Sequence, residues 1–380
     1  MGEILGIGIT HYPPLLSRPE TYANLMRIVL NSPMVPAQMR QPANWPEPMQ
    51  DEYANEAVLA VQHQERMVEA FRQVRRAIDD FGPDAVIIFG DDQYENFKED
   101  CIPPFCVFMH DRMESRPFAH GLLGFGGENN VWGEPADATF VHRGNKQLAK
   151  HIATELMERD FPISYAFTNS HHAAQHGPTE LTHAFLNALL FLDWDRKGFE
   201  YPVVPIQVNA YGKDVVPNRG VIGHLYPKTK SEPFGDELGP PAPSAASCAR
   251  LGRLLRDILE ARSGRYVLMA SSGWSHAFLV AKHHWLYPDI AADREHLEDL
   301  RLGQHPRWAH LSNAQIDAAG DHEFRNWICL AGAMQGYQAE IVDYLETYIF
   351  NSNKCFAILR DDNRANRKPE AMVGHQDLSR

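Results

Sequence analysis

Residues 85–89, Ala-Val-Ile-Ile-Phe, form an unbroken apolar run that neither alternates nor is long enough for a helix. Such a run reads as a strand with both faces covered, as in a parallel or mixed α/β sheet. It stops at Gly90 and gives way at once to Asp91, Asp92, Gln93 and Glu95. Open α/β sheets take their ligands in the crevice at the carboxyl ends of strands, which makes this polar cluster a candidate site. Asp91 and Asp92 can equally form a turn and cap the next stretch of chain.

A chain of 380 residues can bury a large core in one or two domains. No internal repeat or interdomain linker stands out, so residues 1–360 read as one α/β domain and 361–380 as a polar tail. The fold class expected is a central, mostly parallel or mixed sheet flanked by helices. A formal net charge of −13 argues against nucleic acid as a partner. The five cysteines are scattered, with no CxxC pair, and read as reduced thiols. No apolar run approaches the ~20 residues needed to span a bilayer. Residues 1–10 lack a basic n-region and a cleavage site, and Gly6 stands where a myristoylation signal wants Ser or Thr. The expectation is a cytoplasmic protein without membrane or nucleic-acid partners. Nineteen histidines raise the prospect of metal or acid–base chemistry without locating it.

In chain order, residues 4–9 read as a first strand, followed by Thr10, His11, Tyr12, Pro13 and Pro14. His11 is either a directed strand-end ligand or a surface loop histidine. The glycines before it are not a dinucleotide fingerprint, since no third Gly follows at the required spacing. Residues 32–53 carry five prolines and read as an irregular excursion that covers the site. Val58, Val61, Met67, Ala70, Phe71, Val74 and Ile78 keep mostly to three- and four-residue steps, predicting a helix over 56–81. Residues 103–109 read as a strand placed at an edge by its prolines. A helix over 144–159 and a strand over 163–167 follow. Next comes the densest histidine cluster, with His171, His172, His176 and His183 inside thirteen residues. His172 and His176 stand at i, i+4 without the glutamate of a zincin helix.

Residues 203–208 read as a strand in which Pro205 sits uneasily at the sheet centre. Ser244 caps a predicted helix to 262 with Leu251, Leu254, Leu255 and Ile258 along its stripe. The strand 266–270 then runs out into Ser271, Ser272, Gly273, Trp274, Ser275 and His276. His276 is a candidate base or a hydrogen-bonded core histidine. Glu323 precedes an apolar helix, so a structural reading as its N-terminal carboxylate is available. A helix over 339–350 and a strand over 355–359 complete the reading.

Five features in this order resemble the class III extradiol ring-cleavage dioxygenases, the superfamily of the protocatechuate 4,5-dioxygenase catalytic subunit. They are the strand-end His11, the polar turn from Gly90 to Gln93, His176 with Gly177, Ser272-Gly-Trp-Ser-His276, and Glu323-Phe-Arg-Asn-Trp327. Asp92-Gln-Tyr-Glu95 and Thr182-His-Ala-Phe185 are most similar to the 3-O-methylgallate dioxygenase branch.

The resemblance implies non-haem Fe(II) held by two His and one carboxylate, with open positions for substrate and O2. It implies His11 and Glu323 as ligands, His276 as the base that takes a catechol proton, and His183 and His176 as further catalytic residues. Gln93 stands where the protocatechuate branch has its second ligand histidine; a neutral amide oxygen is a poorer iron ligand than imidazole. The third metal position therefore falls to Gln93, or to Asp92, Glu95 or His183 beside it. The implied substrate is a catecholic aromatic acid of the gallate, 3-O-methylgallate or protocatechuate type, as arises in lignin breakdown, and a homodimer is the accompanying expectation. A non-catalytic ligand- or partner-binding member of the same fold is the other reading, favoured by Gln93 and opposed by His11, His276 and Glu323. A metal hydrolase finds neither a Gly-x-Ser-x-Gly elbow nor a zincin helix.

Overall fold

The computed structural model describes residues 2–118, 130–169, 171, 181–219, 222–225 and 238–361. The apolar run becomes strand β2 of an eight-stranded mixed sheet. In chain order its strands are β1 (Glu3–Ile9), β2 (Ala85–Asp91), β3 (Phe105–Phe108), β6 (Ser164–Ala166), β7 (Val203–Val208), β8 (Arg265–Ser271), β9 (Gln338–Leu345) and β10 (Lys354–Arg360). The remaining pair, β4 (Arg112–Ser115) and β5 (Phe140–Arg143), forms a separate hairpin. The spatial order is β6-β3-β7-β2-β8-β1-β10-β9. The central four, β7, β2, β8 and β1, are mutually parallel; β3 and β10 pair antiparallel at their flanks.

Both faces of β2 are covered, as its composition requires. Val86 and Ile88 join a core with helices α1 (Glu56–Phe81) and α3 (His183–Leu192), while Ala85, Ile87 and Phe89 join a second. That second core holds α2 (Lys146–Glu158), α4 (Ala245–Glu260) and α6 (Arg325–Ala333). A helix α5 (Ile290–Arg301) lies between the last two in sequence. Gly8 lets α6 come close, since a Cβ there would stand 2.0 Å from the Trp327 ring. The five cysteines are all free. No described helix is long and apolar enough to cross a membrane.

Several expectations are corrected. The buried stripe of α1 runs through Ala60, His63, Met67, Ala70, Phe71, Val74 and Ile78, leaving Val58 and Val61 exposed at 61% and 44%. Strand β3 is interior, because Pro103 and Pro104 end before its ladder begins at Phe105. Pro205 is tolerated in β7 because the β3 ladder stops at Ile206, one residue short of it. Residues 338–345 form the edge strand β9 rather than a helix. Their β-branched and aromatic residues suit a pleated ribbon, and β10 supplies the antiparallel partner. Of the 32–53 excursion, Glu47 onward is helical, and none of it contributes to the described lining of the cavity at the strand ends. The 361–380 tail lies outside the described residues from 362 onward.

Candidate active site

The parallel strands β1, β2, β7 and β8 all finish at one edge of the sheet, and each delivers a polar side chain at or just beyond its end. His11 follows β1, Asp91 closes β2 with Gln93 just after it, Tyr211 follows β7 and His276 follows β8. Glu323 arrives from the other side, in the 3-10 turn His322–Phe324 that leads into α6. His11, Gln93, His183, His276 and Glu323 line one cavity. His176, expected beside them, lies outside the described residues.

Glu323 is the hub of this arrangement. Its side chain is buried, and its Oε2 stands 3.4 Å from His11 Nε2 and 3.4 Å from His276 Nε2. Its other oxygen, Oε1, accepts from Gln93 Nε2 at 2.7 Å and from the Tyr211 hydroxyl at 2.8 Å. Tyr211 is a site residue that the sequence reading missed. Its only signal is its place shortly after the buried strand that ends at Val208.

The orientation of His11 is set from behind. Its Nδ1 lies 2.9 Å from the Ser271 carbonyl, so Nδ1 carries the proton and Nε2 turns its lone pair into the cavity. Asn187 of α3 donates to the His11 carbonyl at 3.0 Å, fixing the backbone too. The Ser271 hydroxyl donates to the Ala184 carbonyl, tying the end of β8 to the start of α3.

The acidic turn after β2 divides its labour. Asp92 accepts the main-chain N–H groups of Glu95, Asn96 and Phe97 at 3.0, 2.9 and 3.3 Å, so its carboxylate shapes the turn. Glu95 accepts from the His183 main chain and faces its Nδ1. Asp91 points inward, taking Gln93 Nε2 at 3.2 Å on one oxygen and Asn326 Nδ2 at 3.2 Å on the other. Asn326 belongs to the Glu323-to-Trp327 motif, whose last residue donates its indole N–H to the Ser272 carbonyl. Gln93 thus bridges the two inward carboxylates through its amide nitrogen, while its Oε1 is buried without a partner.

Asp91, which the sequence reading left open between a site residue and a turn residue, offers an oxygen within 4.8 Å of ring nitrogens of both His11 and His183. Desolvation governs the charges here. Burial pushes Glu323 well above the usual carboxylate range, with Asp91 adding repulsion, and lifts Asp91 to about 6. Burial lowers His276 to about 3 and holds His11 well below the imidazole range. His183 is the exception. Burial opposes its charge, yet the facing Glu95 carboxylate raises it to about 9. The site therefore presents two neutral imidazoles, His11 and His276, beside crowded carboxyls, a donor set that a bound cation would favour in its ionised form.

Known proteins share much of this chain. The family described as "Catalytic LigB subunit of aromatic ring-opening dioxygenase" matches residues 56–213 and 238–356. The 2,3-dihydroxyphenylpropionate/2,3-dihydroxicinnamic acid 1,2-dioxygenase of Paraburkholderia xenovorans is 25% identical over 292 residues, covering 69% of this chain and 79% of that protein. Its namesake from Rhodococcus globerulus is 24% identical over 318 residues, covering 77% and 90%. An uncharacterized Escherichia coli K12 protein of known crystal structure aligns with a TM-score of 0.41 at 12% identity, over 77% of this chain and 92% of that one. The matched segments contain the inward turn after β2, the β8 exit with His276, and Glu323 with its following helix. The chain belongs to the LigB family of aromatic ring-opening dioxygenases, and it is a ring-cleavage dioxygenase.

Proposed function

We propose that the cavity carries out extradiol cleavage of a single-ring catecholic acid, with Fe(II) held by His11, Glu323 and a third donor from the Asp91–Gln93–His183 side. One observation carries the reading: His11 Nε2 lies 3.4 Å from a buried oxygen of Glu323 on a cavity wall, and ring nitrogens of His11 and His183 lie with an Asp91 oxygen within 4.8 Å of one another. Two histidines with a carboxylate and open positions is the donor set that suits non-haem Fe(II). The buried, unpartnered Glu323 Oε2 and Gln93 Oε1 fit a cation at this point. Bound there, Fe(II) supplies a common coordination sphere in which catechol and O2 can exchange electrons.

The remaining work belongs to the chain. His276 is neutral and faces the cavity, so its Nε2 can accept the proton that a catechol hydroxyl gives up. His183, pinned by Glu95, stands beside His11, able to ligate when neutral and to give a proton to a substrate oxygen when charged. Tyr12, Pro14, Leu25 and Phe278 give the cavity an apolar side against which an aromatic ring can pack and exclude water.

The names of the relatives support a dihydroxyphenylpropanoid acid; the motifs around Asp92 and His183 support the gallate and 3-O-methylgallate type. Oxygen uptake by anaerobically purified, Fe(II)-loaded protein decides between them. The panel is 2,3-dihydroxyphenylpropionate, protocatechuate, gallate, 3-O-methylgallate and unsubstituted catechol, run in parallel. Consumption of O2 with loss of the aromatic absorbance on at least one acid is expected. No uptake on any of the five would overturn the reading.

A further inference from the structure

Behind the catalytic wall lies a buried polar chain that the reaction itself does not use. Asp293, in the first turn of α5, is wholly buried at 0% exposure. Its carboxylate accepts the Ser275 main-chain N–H, at 3.1 Å on one oxygen and 3.3 Å on the other. It also accepts Asn353 Nδ2 at 2.7 Å. Asn353 passes the connection on, since its Oδ1 accepts the Thr347 N–H at 2.9 Å. One carboxylate therefore ties the segment that carries His276 to the loop between β9 and β10.

Those two segments run side by side along the cavity. Trp274 N–H donates to the Asn353 carbonyl at 3.0 Å, and Ala277 N–H donates to the Asn351 carbonyl at 2.6 Å. His276 and Ser352 form an isolated antiparallel bridge between them. Gly273 marks how close they run: a Cβ there would stand 3.0 Å from His276 Cε1 and 3.0 Å from Ser352 Oγ. His276, Asn351 and Ser352 all line the cavity.

We propose that Asp293 is a positioning residue that sets how His276 is held against the Asn351–Ser352 segment, and so the shape of the cavity wall that the aromatic substrate meets. The inference rests on the dioxygenase reading for what is bound, and on the hydrogen-bond chain alone for how the two segments are held. Like-charged Asp321 and Asp289 also face this carboxylate. Asp321 is engaged by His296 at 3.1 Å, and Asp289 is occupied in capping α5 and with Lys282, so neither replaces Asp293 as the link.

The donor and acceptor order makes the test sharp. In Asp293→Asn, with Oδ1 kept on the Ser275 N–H, the new amide turns a donor toward the Asn353 amide; flipping the amide at 293 moves the donor conflict to the Ser275 N–H, and flipping Asn353 moves it to the Thr347 N–H. In Asn353→Asp two acceptors face each other. In the double exchange the amide at 293 donates to the carboxylate at 353, which still accepts from Thr347, while Oδ1 at 293 accepts from Ser275. The chain is restored with its polarity exchanged.

On the catechol that the wild type turns over, each single variant is expected to raise KM about tenfold, and the double to return within about threefold of wild type. Asn353→Ser, which deletes the link without a donor conflict, is expected to fold and to raise KM about threefold. Hydrogen exchange in substrate-free protein reads the hold between the segments directly: the Trp274 and Ala277 amides should exchange faster in the singles and recover in the double. A lowered Tm with unchanged KM, or a double variant as impaired as the singles, would overturn the proposal. Unchanged exchange in the singles would overturn it whatever the activity. A wild type inert toward every catechol would defeat the dioxygenase reading while leaving the exchange result to judge Asp293.

Discussion

Glu95 and His183 meet across 88 positions of sequence: one carboxylate oxygen accepts the His183 main-chain N–H at 3.0 Å, and the other lies 2.5 Å from Nδ1. The contact fixes the first residue of α3 and its ring together. The pair also brings His183 edge-on to His11, with ring centroids 4.8 Å apart. A carboxylate behind an imidazole sets its tautomer and orientation, and losing such a partner commonly costs activity or metal affinity by roughly 10–100-fold.

Glu95→Gln is therefore expected to lower kcat on the order of 10–100-fold while Tm moves little, because a carboxamide still fills the space. The comparison is steady-state kinetics on Fe(II)-loaded protein beside thermal unfolding. Wild-type turnover in the variant would remove His183 from the chemistry.

The metal assignment separates by residue. Glu323→Ala takes away the oxygen that faces both His11 and His276, and His11→Ala removes the imidazole whose Nδ1 is spent on Ser271. Both variants are expected to emerge from anaerobic Fe(II) loading with little bound iron. Gln93→Ala should keep near-stoichiometric iron, held about tenfold more weakly, because Gln93 bridges Asp91 and Glu323 through its amide nitrogen. Iron lost as completely from Gln93→Ala as from Glu323→Ala would make the glutamine a ligand in its own right.

Much of this site could be read from the chain because each central strand announces its own end. The apolar run of β2 breaks at Gly90 into acids, and β8 breaks into small residues before His276. The packing of both faces of β2 followed from the same composition. Other parts were settled only by where the chain returns. Tyr211 looks like one more aromatic beside a strand until Glu323 comes back across the fold to receive its hydroxyl. Asp91 and Asp92 are adjacent and chemically alike, yet one turns inward to Gln93 and Asn326 and the other is consumed by three main-chain N–H groups. Residues 338–345 have a pattern compatible with helix, and pairing with β10 decided otherwise.

His276 tests the division between ligand and base. His276→Phe should preserve the fold and most of the iron while lowering turnover by about 10²–10⁴-fold, the usual worth of a positioned base. Substrate should still bind, since the metal provides the chelation. Metal analysis, anaerobic substrate titration and O2 uptake on one preparation give all three quantities. Iron lost together with activity would move His276 into the ligand set, which its 3.4 Å approach to Glu323 Oε2 permits.

A buried amine beneath the site gives a pH-dependent prediction that needs no substrate. Lys354 is 0% exposed; its Nζ donates to the Phe350 carbonyl at 2.9 Å and lies 3.8 Å from the centroid of the Tyr12 ring. Burial pushes the amine well below the ordinary lysine range, against an opposing pull from Glu52. Between that depressed value and the unfolded value of about 10.4, the unfolded chain holds a proton that the folded chain has released. The unfolded state then binds more protons, so this group's contribution to stability rises with pH across the window. Lys354→Met removes the cost of keeping the amine neutral. At pH 7 it should be at least as stable as wild type, and its stability relative to wild type should fall by about 1.4 kcal/mol per pH unit across the window in which the folded amine is neutral and the unfolded one charged. Urea unfolding of both proteins at pH 7, 8, 9 and 9.5 measures the difference directly, and the other titrating groups cancel between them. A difference that does not change with pH would mean that Lys354 keeps its proton in the fold, held by Phe350 and the Tyr12 ring.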